Sequence, residues 1–331
     1  NTNEMSIIDR TKPVLVTGAT GYVAGWLIKR LLEEGVTVHA TVRDVQKRDK
    51  VAHLDAIAEQ LGGKILYFKA DLLRAEGFEE AMQGCELVFH TASPFISDVK
   101  DPQRDLIDPA VKGTEHVLQA AMRVPTVKRV VLTSSCAAIY TDAIDCQSAP
   151  NGILTEEVWN TTASLDYQPY SYSKTLAEKR AWEIAKTQSQ WDLVAINPCL
   201  VLGRALNMQT TTSESFNILK QVGDGTLKWG APRIGIGVVD VRDVAEAHFL
   251  AGFTPSAKGR YITAGHNTDL LAMAATLLPK YGAKYPIPRR ALPKWLLWLI
   301  GPLANKLFSR RFISNNVNHG WQADNSKIRR E

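Results

Sequence analysis

Cysteine is scarce in this 331-residue chain, and no apolar run is long. The four cysteines, Cys85, Cys136, Cys146 and Cys199, show neither a C-x-x-C pair nor a histidine at metal-binding spacing. This pattern excludes a disulfide framework and a structural zinc site, and it indicates a reducing compartment. The most apolar stretch, residues 295–304, is well short of the roughly 20 residues that a membrane span needs. We therefore expect a soluble, cytoplasmic protein with no integral membrane segment and no bound metal.

Charge is low overall but unevenly distributed. The chain has 39 Lys and Arg against 34 Asp and Glu, a net charge of +5, which argues against a nucleic-acid partner. Residues 277–331 hold 11 Lys and Arg but only two acids, Asp324 and Glu331, so this segment carries +9 and the rest of the chain −4. We interpret the basic segment as the solvated surface of a helical lobe. A phosphate-bearing substrate or an acidic membrane surface is the alternative.

Short apolar runs alternate with amphipathic stretches through the first two hundred residues. This pattern is typical of repeated βαβ units and predicts an α/β fold with a doubly wound parallel sheet of the Rossmann type. The alternation stops after Asn197-Pro198, where Pro, Trp and basic residues become common. We expect a dinucleotide-binding domain over residues 1–200 with a return segment near 238–253, and a smaller, mainly helical substrate lobe over the rest of 201–331. The strands are predicted at residues 13–17, 37–42, 64–69, 86–91, 129–134 and 193–197.

A glycine-rich turn lies between the first predicted strand and the first predicted helix. Gly18 allows a tight turn there, and Gly21 lets the backbone approach a pyrophosphate at the helix N-terminus. Ala24 stands where a third glycine is usual, and it is small enough for close helix–strand packing. Because the turn has the strand–helix context that this mechanism requires, we predict a dinucleotide site that also includes Thr20, Tyr22 and Val23.

The end of the second strand indicates which dinucleotide binds. A carboxylate at this position would accept a hydrogen bond from the ribose 2′-hydroxyl and would repel a 2′-phosphate. This chain has Arg43, whose guanidinium can hold a phosphate, and Lys50 adds charge nearby. Asp44 is the competing residue if the strand ends one position later. We favour NADP over NAD.

A serine, a tyrosine and a lysine form the candidate catalytic set. Ser135 follows the fifth strand, and Tyr170 and Lys174 lie four residues apart, on one face of a predicted helix. An ammonium beside a phenol favours phenolate, so such a tyrosine can donate a proton to a carbonyl oxygen. The Ser135 hydroxyl can stabilise the same oxygen. Tyr172 does not share this arrangement, because four residues beyond it stands Leu176.

These motifs together resemble the extended short-chain dehydrogenase/reductases, over roughly residues 12–265. Within that family the chain is most similar to the branch of dihydroflavonol reductases, cinnamoyl-CoA reductases and microbial aldehyde/ketone reductases. The resemblance implies Tyr170 as acid, Lys174 as its partner and ribose anchor, and Ser135 as the residue that orients the carbonyl. It further implies a cofactor path along Asp71 and Leu72 at the adenine, Thr91, Ala92, Ser93 and Thr133 beside it, and Asn197, Pro198 and Leu200 at the nicotinamide.

The substrate is less well defined by the sequence. Plant dihydroflavonol reductases carry a substrate-binding Asn five residues after the catalytic Ser, where this chain has Tyr140. The His and Lys that cinnamoyl-CoA reductases place after the nicotinamide-binding strand have no match in residues 203–207. We therefore expect a generalist reductase of aldehydes, ketones or keto esters rather than of a flavonoid or a CoA thioester. Four residues near strand ends are equally suited to the substrate pocket and to the core: Phe95, Cys136, Tyr140 and Leu202.

The sequence thus predicts an NADPH-dependent carbonyl reductase, monomeric or homodimeric, with a small-molecule carbonyl substrate. An NAD-dependent nucleotide-sugar epimerase or dehydratase of the same fold is one alternative, and a non-catalytic NADP-binding sensor is another. Neither His90 nor His248 is assigned to the chemistry, and we expect both to be structural. The apolar stripe of Trp295, Trp298 and Leu299 is interpreted as core or as a substrate lid rather than as a membrane anchor.

Overall fold

The computed structural model describes residues 7–94, 98–208, 213–306 and 308–331. Ten strands lie within these ranges. None of the helices in the described residues is long and apolar enough to cross a membrane. The strands are β1 Val14–Val16, β2 Val38–Val42, β3 Ile65–Lys69, β4 Leu87–His90, β5 Arg129–Thr133, β6 Asp192–Pro198, β7 Leu200–Leu202, β8 Gly235–Asp240, β9 Gly259–Thr263 and β10 His266–Asp269.

Twelve α-helices lie in the same ranges. The helix that follows the glycine-rich turn and the helix that carries the Tyr/Lys pair are where the sequence predicted them. The helices are α1 Tyr22–Glu33, α2 Ala52–Leu61, α3 Phe78–Met82, α4 Asp108–Arg123, α5 Pro169–Ala185, α6 Glu214–Gly223, α7 Val241–Phe253, α8 Leu270–Ala275, α9 Leu278–Tyr281, α10 Lys294–Ala304, α11 Arg310–Asn316 and α12 Ser326–Arg330.

Seven strands form one parallel sheet in the order β3-β2-β1-β4-β5-β6-β9. Apolar side chains cover both of its faces, with α1, α2 and α7 packed on one and α3, α4 and α5 on the other. The predicted Rossmann-type parallel sheet is therefore confirmed. The strand order reverses between β1 and β4, and ligands of open α/β sheets bind beyond the carboxyl ends of the strands at such a point.

The chain returns to the large sheet late in the sequence. Helix α7 packs against α1, and strand β9 then adds the seventh strand beside β6. β8 belongs instead to a second, three-stranded sheet of order β10-β8-β7. Neither β9 nor this small sheet was predicted from the sequence pattern. Its strands are short, and β8 alternates Gly235 and Gly237 with apolar residues, so apolar periodicity alone did not reveal them.

Two buried histidines connect the large sheet to its surroundings. A ring nitrogen of His90 lies 2.9 Å from the Thr17 hydroxyl oxygen, and Nε2 of His248 lies 2.7 Å from the Thr133 hydroxyl oxygen. The Nδ1 of His248 donates to the Val244 carbonyl oxygen, as expected of a neutral ring. Both histidines therefore have the structural surroundings that the sequence analysis expected.

Burial makes these histidines sensitive to acid. It lowers the pKa of His248 to about 4, and burial together with the Lys174 charge lowers the pKa of His90 to about 3. In the unfolded chain both groups bind protons below about pH 6.5, so acid favours unfolding. We expect the free energy of unfolding to fall between about pH 6.5 and pH 5 by about 1.4 kcal/mol per pH unit for each histidine. Urea titrations across this range should show the slope reduced by about 1.4 kcal/mol per pH unit in His248→Gln, and an unchanged slope would contradict the assignment.

Candidate active site

The glycine-rich turn is shaped for a close approach. Gly18 has φ +68°, a left-handed conformation, and a Cβ added to it would lie 2.9 Å from the Ala92 Cβ. Gly21 precedes α1 in extended conformation, and no side chain caps the helix N-terminus. The first N–H groups of this twelve-residue helix are thus free of a side-chain acceptor, which suits a bound phosphate. The turn therefore fits the pyrophosphate of a dinucleotide.

The side chains of the first residues of α1 point into the protein rather than toward the glycine-rich turn. The Tyr22 hydroxyl donates to the Gly203 carbonyl oxygen over 2.5 Å, and Val23 packs in the same small cluster as Tyr22. Only the backbone of Tyr22 thus remains for a cofactor. Its side chain instead anchors the segment that follows β7.

A cavity of about 320 Å³ opens beside the end of β2. Four cationic side chains line it, together with Thr20 and the single carboxylate of Asp44. Asp44 accepts a hydrogen bond from the Gln46 N–H in a local turn. The cations are Arg43, Lys47, Arg48 and Lys50.

One of these cations has a partner within the protein. Arg48 lies 2.7 Å from the Asp55 carboxylate, and its guanidinium stacks over the Tyr67 ring at 4.8 Å. Within the described residues, Arg43, Lys47 and Lys50 form no ion pair. With these three unpaired cations against the Asp44 carboxylate, the cavity presents a net positive charge, which suits a phosphate group. The sequence pattern pointed to Arg43 and Lys50 but not to Tyr67, because Tyr67 comes from a different strand.

The predicted adenine-side residues follow β3. The Asp71 carboxylate accepts a hydrogen bond from the Leu73 N–H, which shapes the turn. Leu72 packs against α4, so closely that a Cβ added to Gly113 of that helix would lie 3.2 Å from the Leu72 Cβ. Its carbonyl oxygen is 2.6 Å from a ring nitrogen of His116. Both residues are partly exposed at the same sheet edge as the glycine-rich turn.

The loop after β4 is hydrogen-bonded to the end of β1. The Ala92 N–H donates to the Thr17 hydroxyl over 3.0 Å, and the Thr91 hydroxyl donates to the Thr17 carbonyl oxygen. This arrangement fixes Ala92 against Gly18 and places Ser93 at the carboxyl edge of the sheet. Its hydroxyl accepts a hydrogen bond from Nζ of Lys174 over 2.8 Å.

Helix α5 carries the candidate acid and its partner. It begins after Gln168, whose φ of +55° turns the chain, and Pro169 occupies its first position. Tyr170 is 47% exposed, and the Lys174 ammonium lies 5.7 Å from the centre of its ring. The two side chains therefore lie on one face of the helix, near the carboxyl edge of the sheet. An exposed phenol beside an ammonium has the chemistry of a proton donor to a carbonyl oxygen.

Ser135 is held close to this helix by its neighbours. Its side chain accepts a hydrogen bond from the Ala137 N–H, and the Thr175 hydroxyl of α5 donates to the Ala137 carbonyl oxygen. The Ser135 carbonyl oxygen accepts a hydrogen bond from the Asn197 side chain over 3.1 Å. These hydrogen bonds join three segments that are far apart in sequence: the loop with Ser135, helix α5, and strand β6 with Asn197. The predicted acid lies on α5, and the predicted carbonyl-orienting residue lies on the loop.

A buried ion pair beneath this site was missed by sequence reasoning. Glu178 of α5 is 1% exposed, and one of its carboxylate oxygens lies 2.8 Å from Nε of Arg260, itself 6% exposed. The other carboxylate oxygen accepts a hydrogen bond from the Asn197 side chain over 2.5 Å. The Arg260 guanidinium also stacks over the Trp159 ring at 3.8 Å. The only sequence signal was that Glu178 lies four residues after Lys174, on the same helix face.

The four predicted pocket residues have different surroundings. Cys136 is buried with Cys199 in an apolar cluster, and Tyr140 packs against Trp321 at 5.4 Å between ring centres. Both therefore have core contacts. Leu202 is partly exposed at the end of β7. Phe95 lies outside the described residues.

Comparison with known proteins identifies the family. Residues 14–264 match the model of the NAD dependent epimerase/dehydratase family. The chain belongs to this family. The match covers the large sheet with all seven of its strands, and it confirms the resemblance to the extended short-chain dehydrogenase/reductases.

Reductases are prominent among the relatives within this family. The chain is 42% identical over 277 residues to cinnamoyl-CoA reductase CAD2 of Medicago truncatula, covering 80% of this chain and 81% of the relative. It is 36% identical over 281 residues to anthocyanidin reductase of Arabidopsis thaliana, covering 82% and 81%. The structure of Gre2 from Candida albicans in complex with NADPH superposes with a TM-score of 0.75 at 27% identity, covering 96% and 92%. This member of the family is accordingly an NAD(P)-dependent oxidoreductase.

Proposed function

We propose that this protein is an NADPH-dependent carbonyl reductase that converts an aldehyde, ketone or keto ester to an alcohol. The observation that carries the proposal is the position of Tyr170 and Lys174. They lie on one exposed face of α5, with the Lys174 ammonium 2.8 Å from the Ser93 hydroxyl oxygen at the carboxyl edge of the sheet. A phenol and an ammonium in this position are suited to protonating a carbonyl oxygen beside a dinucleotide site.

The cofactor would be held along the sheet edge by residues from six strand ends, β1 to β6. Gly18, Gly21 and the N-terminus of α1 would bind its pyrophosphate, and the cations of the β2 cavity would bind its 2′-phosphate. When bound, the nicotinamide supplies the hydride. Contacts farther along the cofactor are proposed for Asp71, Leu72, Thr91, Ala92, Ser93, Thr133, Lys174, Asn197, Pro198 and Leu200.

The protein's own residues would carry the proton. The Tyr170 hydroxyl would donate its proton to the substrate oxygen, and the Lys174 charge would stabilise the phenolate that remains. The Ser135 hydroxyl would donate a hydrogen bond to the same oxygen as its negative charge grows. In the structure this hydroxyl accepts from the Ala137 N–H, so its own proton is available for the substrate.

A broad carbonyl substrate is supported by what the site lacks and by the diversity of the relatives. Two of those relatives are named for different substrates, a CoA thioester and an anthocyanidin. Tyr140 stands where a flavonoid-binding Asn is expected, and its ring packs against Trp321. We propose that Leu202, at the end of β7, borders the substrate, in a lobe built from the segments after β6 that do not return to the large sheet.

Turnover and coenzyme preference test the proposal together. We expect the wild type to oxidise NADPH, followed by its absorbance, with a panel of aryl aldehydes, aliphatic ketones and keto esters. Arg43→Glu should raise the KM for NADPH by about 10- to 100-fold, because a charge-assisted phosphate contact is replaced by repulsion, and should change the KM for NADH little. Lys12→Glu changes the net charge equally at an exposed position away from the β2 cavity and should leave both values unchanged. Equal effects of Arg43→Glu on both coenzymes, or no turnover of any substrate in the panel, would refute the assignment.

A further inference from the structure

Helix α10 exposes a large apolar surface. Its stripe was predicted to be core or a substrate lid, and the structure shows that it is not core, because Trp295 is 65% and Leu303 89% exposed. Trp298, Leu299 and Ile300 are exposed between them. We call these five residues the α10 face. Isolated exposed apolar residues are ordinary on protein surfaces, whereas a contiguous group that includes two tryptophans indicates an interaction site.

A narrow strip on the opposite side attaches α10 to the rest of the protein. Leu297 is buried in a cluster with Ile313 and Val317 of the α11 region. Gly301 lies so close that a Cβ added to it would come within 2.7 Å of Ile313. The helix therefore rests on α11 through one side and cannot turn the α10 face inward without losing this contact. The exposure of the α10 face follows from how the helix is packed.

Only positive charge surrounds the α10 face in the sequence. Residues 270–323 contain eight Lys and Arg and no Asp or Glu. Within the described residues none of these eight forms an ion pair. The Arg310 guanidinium stacks over the Trp298 ring at 4.4 Å, which places a cation beside the apolar surface itself. Lys294 begins the helix, and Lys306 lies just beyond its end.

A further exposed tryptophan, Trp229, belongs to a segment that contacts the residues just before α10. Trp229 is 70% exposed, and its carbonyl oxygen accepts a hydrogen bond from Nε of Arg290 over 3.1 Å. Ala231 pairs with Ala291, three residues before α10 begins. Exposed tryptophan thus recurs close to the basic segment that leads into the helix.

We propose that the α10 face docks this protein on an anionic lipid surface. Tryptophan and leucine enter the boundary between lipid headgroups and acyl chains, and surrounding Lys and Arg are attracted to anionic headgroups. The helix would lie in the plane of the surface, because eleven residues are too few to span it. An anionic lipid surface offers a partner to both parts of this surface, acyl chains for the apolar residues and headgroups for the cations.

A second copy of this chain fits the same surface less well. In a symmetric dimer each copy contributes the same patch, so the two basic segments would be brought together. Like charges that face each other across an interface weaken association. An anionic lipid surface has the complementary charge instead.

Vesicle sedimentation tests the proposal with the whole protein. We expect the wild type to sediment with phosphatidylcholine vesicles that contain about 30% phosphatidylserine and to bind vesicles of phosphatidylcholine alone much more weakly. Raising the salt from about 0.1 M to about 0.5 M should release it, because salt screens exposed charges. Lipids brominated along their acyl chains should quench tryptophan fluorescence.

Matched variants separate the apolar and the ionic contributions. Trp295→Gln combined with Leu303→Gln should weaken binding to anionic vesicles at least about tenfold, since the apolar area that enters the lipid is lost. Lys306→Gln combined with Arg310→Gln should weaken it about fivefold for each cation removed. Leu250→Gln, at a position 49% exposed on α7, is the control and should bind as the wild type does. All of these positions are exposed, so melting temperatures should be unchanged.

Several results would overturn the proposal. Absence of wild-type binding to anionic vesicles is one, and equal binding by the Trp295→Gln/Leu303→Gln variant is another. Equal binding to neutral and anionic vesicles would remove the role of the cations. Sedimentation equilibrium would show a second copy as the occupant if the wild type dimerised without binding vesicles and the glutamine variant stayed monomeric.

Discussion

Tyr170→Phe is expected to lower kcat/KM for carbonyl reduction at least about 100-fold. The change removes one hydroxyl, the proposed proton donor, and general acids of this kind contribute on the order of 100-fold or more. The side chain is 47% exposed, so its loss should not affect folding. Lys174 keeps its hydrogen bond to Ser93 in the variant, and cofactor binding should therefore change little. Steady-state kinetics with NADPH and the best substrate of the panel measure the effect.

Tyr172→Phe is the matched control for this experiment. Tyr172 lies two residues farther along α5, and the residue one turn beyond it is Leu176 rather than a lysine. We expect its removal to change kcat/KM by less than about twofold, in the range of surface substitutions. Full activity in Tyr170→Phe, or a comparable loss in Tyr172→Phe, would show that the acid has been wrongly assigned.

Glu178→Ala is expected to destabilise the protein by about 3–5 kcal/mol. Removal of one partner of a buried ion pair leaves the other charge buried and uncompensated. Arg260 would then be that charge, and Asn197 would lose an acceptor as well. Because Glu178 lies one turn after Lys174, the face of α5 that carries Lys174 would also lose part of its support. Urea unfolding, monitored by circular dichroism, measures the change in the free energy of unfolding.

Two further variants show whether the pairing is the cause. Glu183→Gln removes a carboxylate from the same helix, but its ion pair with Arg180 is exposed and should contribute at most about 1 kcal/mol. The double variant Glu178→Gln/Arg260→Met removes both charges and should recover much of the stability that Glu178→Ala loses, because no unpaired charge is then buried. Equal losses for Glu178→Ala and Glu183→Gln would contradict the argument.

Local patterns in the sequence determined a large part of the fold. The six strands predicted in the first two hundred residues all form within about two residues of their expected ends. They pair as the parallel sheet that alternating strands and helices require. The Tyr170–Lys174 pair and the glycine-rich turn could also be predicted from the sequence, since each depends on neighbours within one helical turn or one loop. The family match extended these local signals to the whole of residues 14–264.

Contacts between distant segments could not be predicted from the sequence in this way. Strand β9 contains Arg260. An arginine is typical of a protein surface, but this one is buried in an ion pair with Glu178. Tyr67 completes the cationic cavity from a neighbouring strand, and Cys136 proved to be packed with Cys199. In each case the partner lies more than fifteen residues away, beyond the reach of helix or strand periodicity.

The sequence by itself determined six strands of the large sheet, the glycine-rich turn and the pairing of a phenol with an amine, because covalent geometry fixes which residues within one turn or strand share a face. Only the tertiary structure decided which charges are buried together and which apolar residues stay exposed. The stripe on α10 shows the difference most clearly. Its helical spacing was evident in the sequence, but its exposure depends on Leu297 and Gly301 being the residues that pack against α11. Periodicity shows that a helix has an apolar side, and packing determines whether another element covers it.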